Sequence, residues 1–266
     1  MAELIQNQQN NQFENESQID LAITSENLKN KDENQNFYAL KIIDKKKPQY
    51  KHRAQKEIEI LNKLNNANKD QNDSPYNIVK IFDHFEFENY LIIVQELMET
   101  SLSDLLICLQ FQGFNFFQIA KWTKQLLKAI QFLQNQNIIH ADIKPSNILF
   151  KNDNAYLSDF GSAFYISQQE NIYPYFQSRF YRAPEVILEI NQFKQIDLWS
   201  LACVTAEMYL GFPLFHGKNT HDQIIKIVTI LKCTVWQALE DPFINYFNNV
   251  DKITYETKQT NDQIEN

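Results

Sequence analysis

The sequence predicts an α+β fold in two lobes, a small β-rich one followed by a larger, mainly helical one. Two observations carry that prediction: strand-like runs cluster before Met98, and long apolar stripes at three- and four-residue steps dominate after it. A third sets the scale: the 266 residues are 44% hydrophobic, with 20 Phe and 12 Tyr, enough apolar surface for one large domain or two lobes sharing a core. The net charge of −8 argues against a nucleic-acid binder and against an anchor on anionic membranes. No apolar run reaches the roughly 18 residues that span a bilayer, and the start MAELIQNQQNNQ lacks the parts of a signal peptide, so an intracellular protein of the cytoplasm or nucleus is expected. Cys108, Cys203 and Cys233 stand far apart, form no metal-ligand pattern, and read as buried thiols.

Residues 1–36 hold 14 Asn or Gln, seven acids and two lysines, and read as an acidic mobile arm. Fold signals begin at Phe37-Tyr38-Ala39-Leu40-Lys41-Ile42-Ile43, a β-rich run closed by charged residues and Pro48. Lys41, alone in that run, is either a snorkelling strand-end lysine or one held inward for an anion. Ile58, Leu61 and Leu64 recur at helical spacing within 54–64, with Glu57 on a neighbouring flank. Strands are expected over 78–82 and 90–94, with 86–89 turning between them. Asn115 to Gln118 resembles a capping box, and Ile119, Trp122, Leu126, Ile130 and Leu133 then predict a long helix to about Gln134. Another helix is expected over 196–209.

The chemistry concentrates in His140-Ala141-Asp142-Ile143-Lys144-Pro145-Ser146-Asn147, where a carboxylate, an ammonium and an amide fall within six residues between short β-like runs. A tight loop points such groups at one spot, whereas a solvated loop leaves them free. Seventeen residues after Asp142, Asp159-Phe160-Gly161 follows a strand-like run, with the glycine suited to an unusual backbone angle.

His140-Ala141-Asp142 with Lys144 and Asn147, then Asp159-Phe160-Gly161, then Ala183-Pro184-Glu185, is the ordered signature of eukaryotic protein kinases, and the likeness runs from about Phe37 to Leu231. Within them, Gln177-Ser178-Arg179-Phe180-Tyr181-Arg182 preceded by Tyr173-Pro174-Tyr175 resembles the dual-specificity tyrosine-regulated kinases of the CMGC group. Val94 to Thr100 resembles the sister mitogen-activated kinases instead. The resemblance implies a bilobal kinase-like fold: the arm at 1–36, a small lobe and hinge over 37–98, a helical lobe over 99–250 and a polar tail over 251–266.

It further implies ATP and Mg²⁺ as cofactors and transfer of phosphate to protein Ser or Thr, with autophosphorylation of Tyr175. Asp142 would orient and deprotonate the acceptor hydroxyl, Lys144 would stabilise the migrating charge, and Asn147 and Asp159 would hold the metal. Lys41, fixed by Glu57, would contact the phosphates. Ala39 and Leu149 would enclose adenine, with Glu96 and Met98 bonding it and Gln95 at the rear. Asp197 would brace the catalytic loop, and His140, Leu61 and Phe160 would stack. Ala141 stands where most kinases have an arginine; Arg179 and Arg182 are implied to pair with phosphate on Tyr175, and Arg182 to favour proline after the target residue.

The chain departs from the pattern twice. No glycine precedes Gly113, so the glycine-rich loop is missing and Ile19 to Thr24 can supply only a strand. All three arginines precede Glu185, and the 81 residues after it are short for the group, which reads as a truncated second lobe. Three readings stand at this point: an active kinase, a scaffold that keeps the fold without turnover, and a partial kinase fragment.

Overall fold

The computed structural model describes residues 37–46, 48–67, 76–167, 176–190 and 193–231, with the backbone alone at 19–21 and 48–49. The arm at 1–18 and 22–36, Tyr173 to Tyr175, Cys233 and the tail lie outside the described residues.

The small lobe is a four-stranded antiparallel sheet of β1 (Ile19–Leu21), β2 (Tyr38–Asp44), β3 (Ile81–Phe87) and β4 (Tyr90–Glu96), in the order β1-β2-β4-β3. Successive strand residues alternate faces, so the register decides where Lys41 points. It lies opposite Ile93, which is wholly buried, and shares its buried face with Ile43. Beneath runs α1 (Pro48–Ala67), longer at both ends than its apolar stripe predicts and starting at a proline, the residue suited to a first helical position. Ala54, Glu57, Ile58, Leu61 and Leu64 form its buried stripe, so Glu57 belongs to the packed face.

The strand expected from Ile78 begins at Ile81. Ile78 and Val79 are drawn away by the other lobe: Val79 N–H donates to the Leu157 carbonyl at 3.0 Å, and Leu157 N–H to that of Asn77 at 2.9 Å. The turn correspondingly narrows to Glu88-Asn89, with Glu88 at φ +50°.

The larger lobe opens with β5 (Thr100–Ser101) and α2 (Leu102–Cys108), which starts on a capping box between Ser101 and Asp104. Helix α3 (Phe116–Asn135) is capped by Asn115, whose Oδ1 accepts Gln118 N–H at 3.0 Å, and it buries the predicted apolar stripe. There follow β6 (Ile138–Ile139), β7 (Ile148–Lys151), β8 (Asn154–Leu157) and β9 (Phe164–Tyr165), pairing as β5-β7-β8 and β6-β9. Helices α4 (Pro184–Ile187) and α5 (Ile196–Leu210) complete this unit, and Ile139, Ala141, Phe164, Ala183, Val186, Phe193 and Ile196 form a buried apolar core that includes part of the segment joining β6 to β7. Gly211 ends α5 at φ +83°, where a Cβ would lie 1.7 Å from the Phe111 carbonyl oxygen, so no other residue fits. A second unit begins at Gly217; its described part, residues 217–231, is mainly α6 (Thr220–Leu231), with Asp222 N–H donating to Asn219 Oδ1 at 2.9 Å. No helix among the described residues is long and apolar enough to cross a membrane.

Of the thiols read as buried, Cys203 is, and burial pushes it up to about 12; Cys108 is exposed. Four residues after Cys203, Glu207 is buried and accepts a 2.7 Å hydrogen bond from the Tyr181 hydroxyl. Burial raises this carboxyl to about 7, against the lowering effect of the Tyr181 bond. The folded state therefore binds a proton more tightly than the unfolded chain, so this contribution is full below about pH 4.5 and is lost as pH rises toward 7. Unfolding of Glu207→Gln and the wild type across pH 5 to 8 should show the variant gaining relative stability with pH, on the order of 2 kcal/mol in all. Parallel curves would mean that Glu207 stays ionised throughout.

Candidate active site

A lone ammonium inside a sheet is unstable unless carboxylates meet it. Lys41 Nζ donates to both Glu57 oxygens at 2.9 Å and to Asp159 Oδ1 at 2.7 Å. Burial alone would lower the lysine pKa, but Glu57 and then Asp159 outweigh it and hold it above the usual range. Asp159, though penalised by burial, is held well below the carboxylate range by Lys41. Phe160 N–H also bonds to Glu57, linking α1 to the residues after β8.

The left-handed residue here is Asp159, at φ +60°, and not Gly161. Gly161 is closely approached instead: a Cβ there would lie 3.3 Å from Asp159 Oδ1, which would have to give by a few tenths of an ångström, and at ordinary contact, 3.5 Å, from Glu57 Oε2.

The loop between β6 and β7 is braced from α5. Asp197, buried in that helix's first turn, accepts His140 N–H at 2.8 Å and Ala141 N–H at 2.9 Å. Ala141 is at φ +63°, a conformation that the buried carboxylate stabilises. His140 Nε2 meets the Ser158 carbonyl at 2.9 Å, and its ring lies edge-on to Phe160 with centroids 4.8 Å apart. Leu61 is buried on α1.

Asp142 comes out of this loop with both oxygens engaged. Oδ2 receives Lys144 Nζ at 2.9 Å and Asn147 Nδ2 at 3.2 Å; Oδ1 receives Ser178 Oγ at 2.8 Å and Ser178 N–H at 3.1 Å. Asn147 Nδ2 also bonds the Asp142 carbonyl at 2.9 Å, which turns its Oδ1 the other way. Ser178 was within the quoted motif, yet its residue type alone gave no sign that it reaches the Asp142 carboxylate.

A cavity of about 90 Å³ is lined by Lys41, Glu57, Asp142, Asp159, Gly161 and Arg53, among others. Ala39, Gln95, Glu96, Met98 and Leu149 lie outside its lining. Ala39 pairs with Gln95 across β2 and β4, and Leu149 sits on β7 opposite Ser101. Glu96 spends its N–H on the Lys80 carbonyl at 2.9 Å and its side chain on Lys151 at 2.7 Å; Met98 follows between β4 and β5.

On the other side, Arg182 is buried, with Nε 3.1 Å from the Phe176 carbonyl and Nη2 2.8 Å from that of Gln177. Gln177 is at φ +64° and is clamped by its own side chain, which donates to the Ile196 carbonyl and Ser200 Oγ and accepts Ala183 N–H. Arg179 lies in the short turn Arg179–Tyr181; Tyr175, its implied phosphate partner, lies outside the described residues.

Comparison with known proteins matches residues 24–263 to the protein kinase domain. The chain is 41% identical over 201 residues to human dual specificity tyrosine-phosphorylation-regulated kinase 4, covering 74% of this chain and 38% of that one. It is 40% identical over 196 residues to Drosophila melanogaster dual specificity tyrosine-phosphorylation-regulated kinase 2, covering 73% and 26%. It is 38% identical over 200 residues to the Schizosaccharomyces pombe serine/threonine-protein kinase ppk15, covering 74% and 36%. The chain thus spans well under half the length of these relatives.

Glu57→Ala would leave Lys41 buried with Asp159 alone. Denaturant unfolding should show a loss of about 3 kcal/mol, the lower end for breaking a buried pair, because one partner remains. A loss under about 0.5 kcal/mol would show that water reaches the ammonium freely.

Proposed function

This chain belongs to the protein kinase domain family, and on that premise we propose that it is an ATP-dependent protein serine/threonine kinase that also phosphorylates its own Tyr175. The observation that carries the reading is the Asp142 carboxylate, held by Lys144, Asn147 and Ser178 beside a cavity that also contains the Lys41–Glu57–Asp159 cluster. Phosphoryl transfer through a loose transition state asks mainly for positioning and charge compensation, and both are present.

Asp142 offers an oriented carboxylate to the acceptor hydroxyl, which on entering would displace the neutral Ser178 Oγ from Oδ1 and pass its proton there. Lys144, already 2.9 Å from Oδ2, is placed to meet charge on the moving phosphoryl group. Lys41 is kept cationic by its two carboxylates and so can face phosphate oxygens. The donor set fits Mg²⁺: Asn147 uses its N–H groups on Asp142 and keeps Oδ1, and Asp159 uses Oδ1 on Lys41 and Gly161 N–H, so one hard oxygen from each is left for a cation. Bound there, the ion would neutralise phosphate charge. Adenine would lie between Ala39 and Leu149 with Gln95 behind; since Glu96 N–H is spent on Lys80, Glu96 would contribute its carbonyl and Met98 its backbone.

A preference for proline after the target residue has a physical basis in Gln177. Its carbonyl is turned into the Arg182 guanidinium and is not offered to an incoming backbone N–H. A following residue with an N–H would leave that donor unpaired, whereas proline has none. Arg182 ties down the residues directly after Tyr175, which supports its pairing, with Arg179, to a phosphate there.

Purified protein incubated with Mg²⁺ and ATP should gain phosphate on Tyr175 and, separately, transfer the γ-phosphoryl of ATP to a Ser-Pro peptide, with Asp142→Asn slowing both transfers about a thousandfold. Replacing that proline by alanine should reduce kcat/KM about tenfold or more. Equal phosphate in wild type and variant, in protein that melts cooperatively, would assign the fold to a scaffold without turnover.

A further inference from the structure

The cavity beside Asp142 carries one cation to which none of these roles gives a task. Arg53 lines it from α1, four residues before Glu57 and therefore on the same side of the helix. The other cations at the site are committed: Lys41 fills its three donors on Glu57 and Asp159, and Lys144 is paired with Asp142. The carboxylates there are committed too, Glu57 and Asp159 to Lys41, Asp142 to Lys144, and Asp44 through Oδ1 to Lys46 N–H at 2.9 Å. Arg53 makes no hydrogen bond or ion pair among the described residues, and the residue is exposed. An always-charged fork of five donors at the mouth of an active-site cavity is matched to a phosphate. The sequence before Lys41 contains no glycine, the residue that most easily lets a backbone approach a phosphate closely.

We propose that Arg53 is a phosphate-binding residue of this cavity, holding the polyphosphate end of the nucleotide from the α1 side. The inference rests on the kinase reading for the identity of the nucleotide. A phosphorylated side chain of this same chain presents the same chemistry, and the experiment separates the two sources.

Equilibrium binding of ATP, ADP and AMP, each with Mg²⁺, is measured on the full chain as wild type, Arg53→Lys and Arg53→Gln, together with melting temperatures before and after phosphatase treatment. Arg53→Gln should weaken ATP about tenfold and leave AMP unchanged, with Arg53→Lys between, since it keeps the charge and loses the fork. An unchanged nucleotide series, with a phosphatase-sensitive melting shift that the wild type shows and Arg53→Gln lacks, keeps the phosphate role and names the phosphorylated side chain as the source. Equal weakening of ATP and AMP, or no response in either arm, overturns the proposal. Binding is read without turnover, so a chain that binds ATP through Arg53 and transfers no phosphate removes the kinase reading while this one stands.

Discussion

The rest of the site depends on a single buried ammonium. Lys41 is inward-facing because β-strand alternation places it with Ile43 and opposite Ile93, and that position is tenable only while carboxylates surround it. Glu57 brings α1 to it, and Asp159 brings the residues after β8. Separating any one of these would strand charge in a low-dielectric interior at a cost of several kcal/mol. The same attraction that keeps Lys41 protonated keeps Asp159 ionised, so the group suited to hold a cation retains its charge as a by-product of packing.

A second constraint is backbone strain, and it lies close to Asp142. Ala141, Asp159 and Gln177 all have φ near +60°, and none is glycine. Each such residue costs on the order of 1 to 3 kcal/mol and persists only where its surroundings over-determine it. Here each has a visible counterweight. Asp197 accepts the amide of Ala141, Lys41 binds the side chain of Asp159, and Gln177 is held by Ile196, Ser200, Ala183 and Arg182. The strain turns Asp142, Asp159 and the Gln177 carbonyl to their present directions, and polar groups of α5, α1 and β2 keep them there.

What the sequence disclosed and what it did not divide along the range of the interactions. The stripe on α3 and the pairing of Lys41 with Glu57 were legible, one from local periodicity and the other from the resemblance the motifs carry. The start of β3 was not, because Ile78 and Val79 look like strand residues and are claimed by Leu157, a partner remote in sequence. Residue type points to Gly161 for the unusual backbone angle, whereas Asp159, whose side chain bonds Lys41, adopts it. The wide spacing of the cysteines and the lack of a metal-ligand pattern point to a buried Cys108, yet it is the exposed last residue of a short helix whose buried positions are Leu102 and Leu106. Ser178 stood in plain view within a motif, and only the fold reveals that it reaches Asp142.

That last contact joins the proposed base to the surface on which a substrate would rest. Asp142 divides its oxygens, Oδ2 toward Lys144 and Asn147 of its own loop and Oδ1 toward Ser178 of another segment. Ser178 follows Gln177 directly and precedes the turn containing Arg179, so its position is inherited from the clamp that Arg182 and α5 place on Gln177. A shift in residues 176–182 sufficient to free the Gln177 carbonyl would also withdraw two donors from Asp142, raising the electron density and the freedom of that carboxylate together. The segment that would select the residue after the target and the carboxylate that would take its proton are therefore linked through Ser178, whose neutral donors on Asp142 an entering hydroxyl can replace without leaving a second charge unpaired.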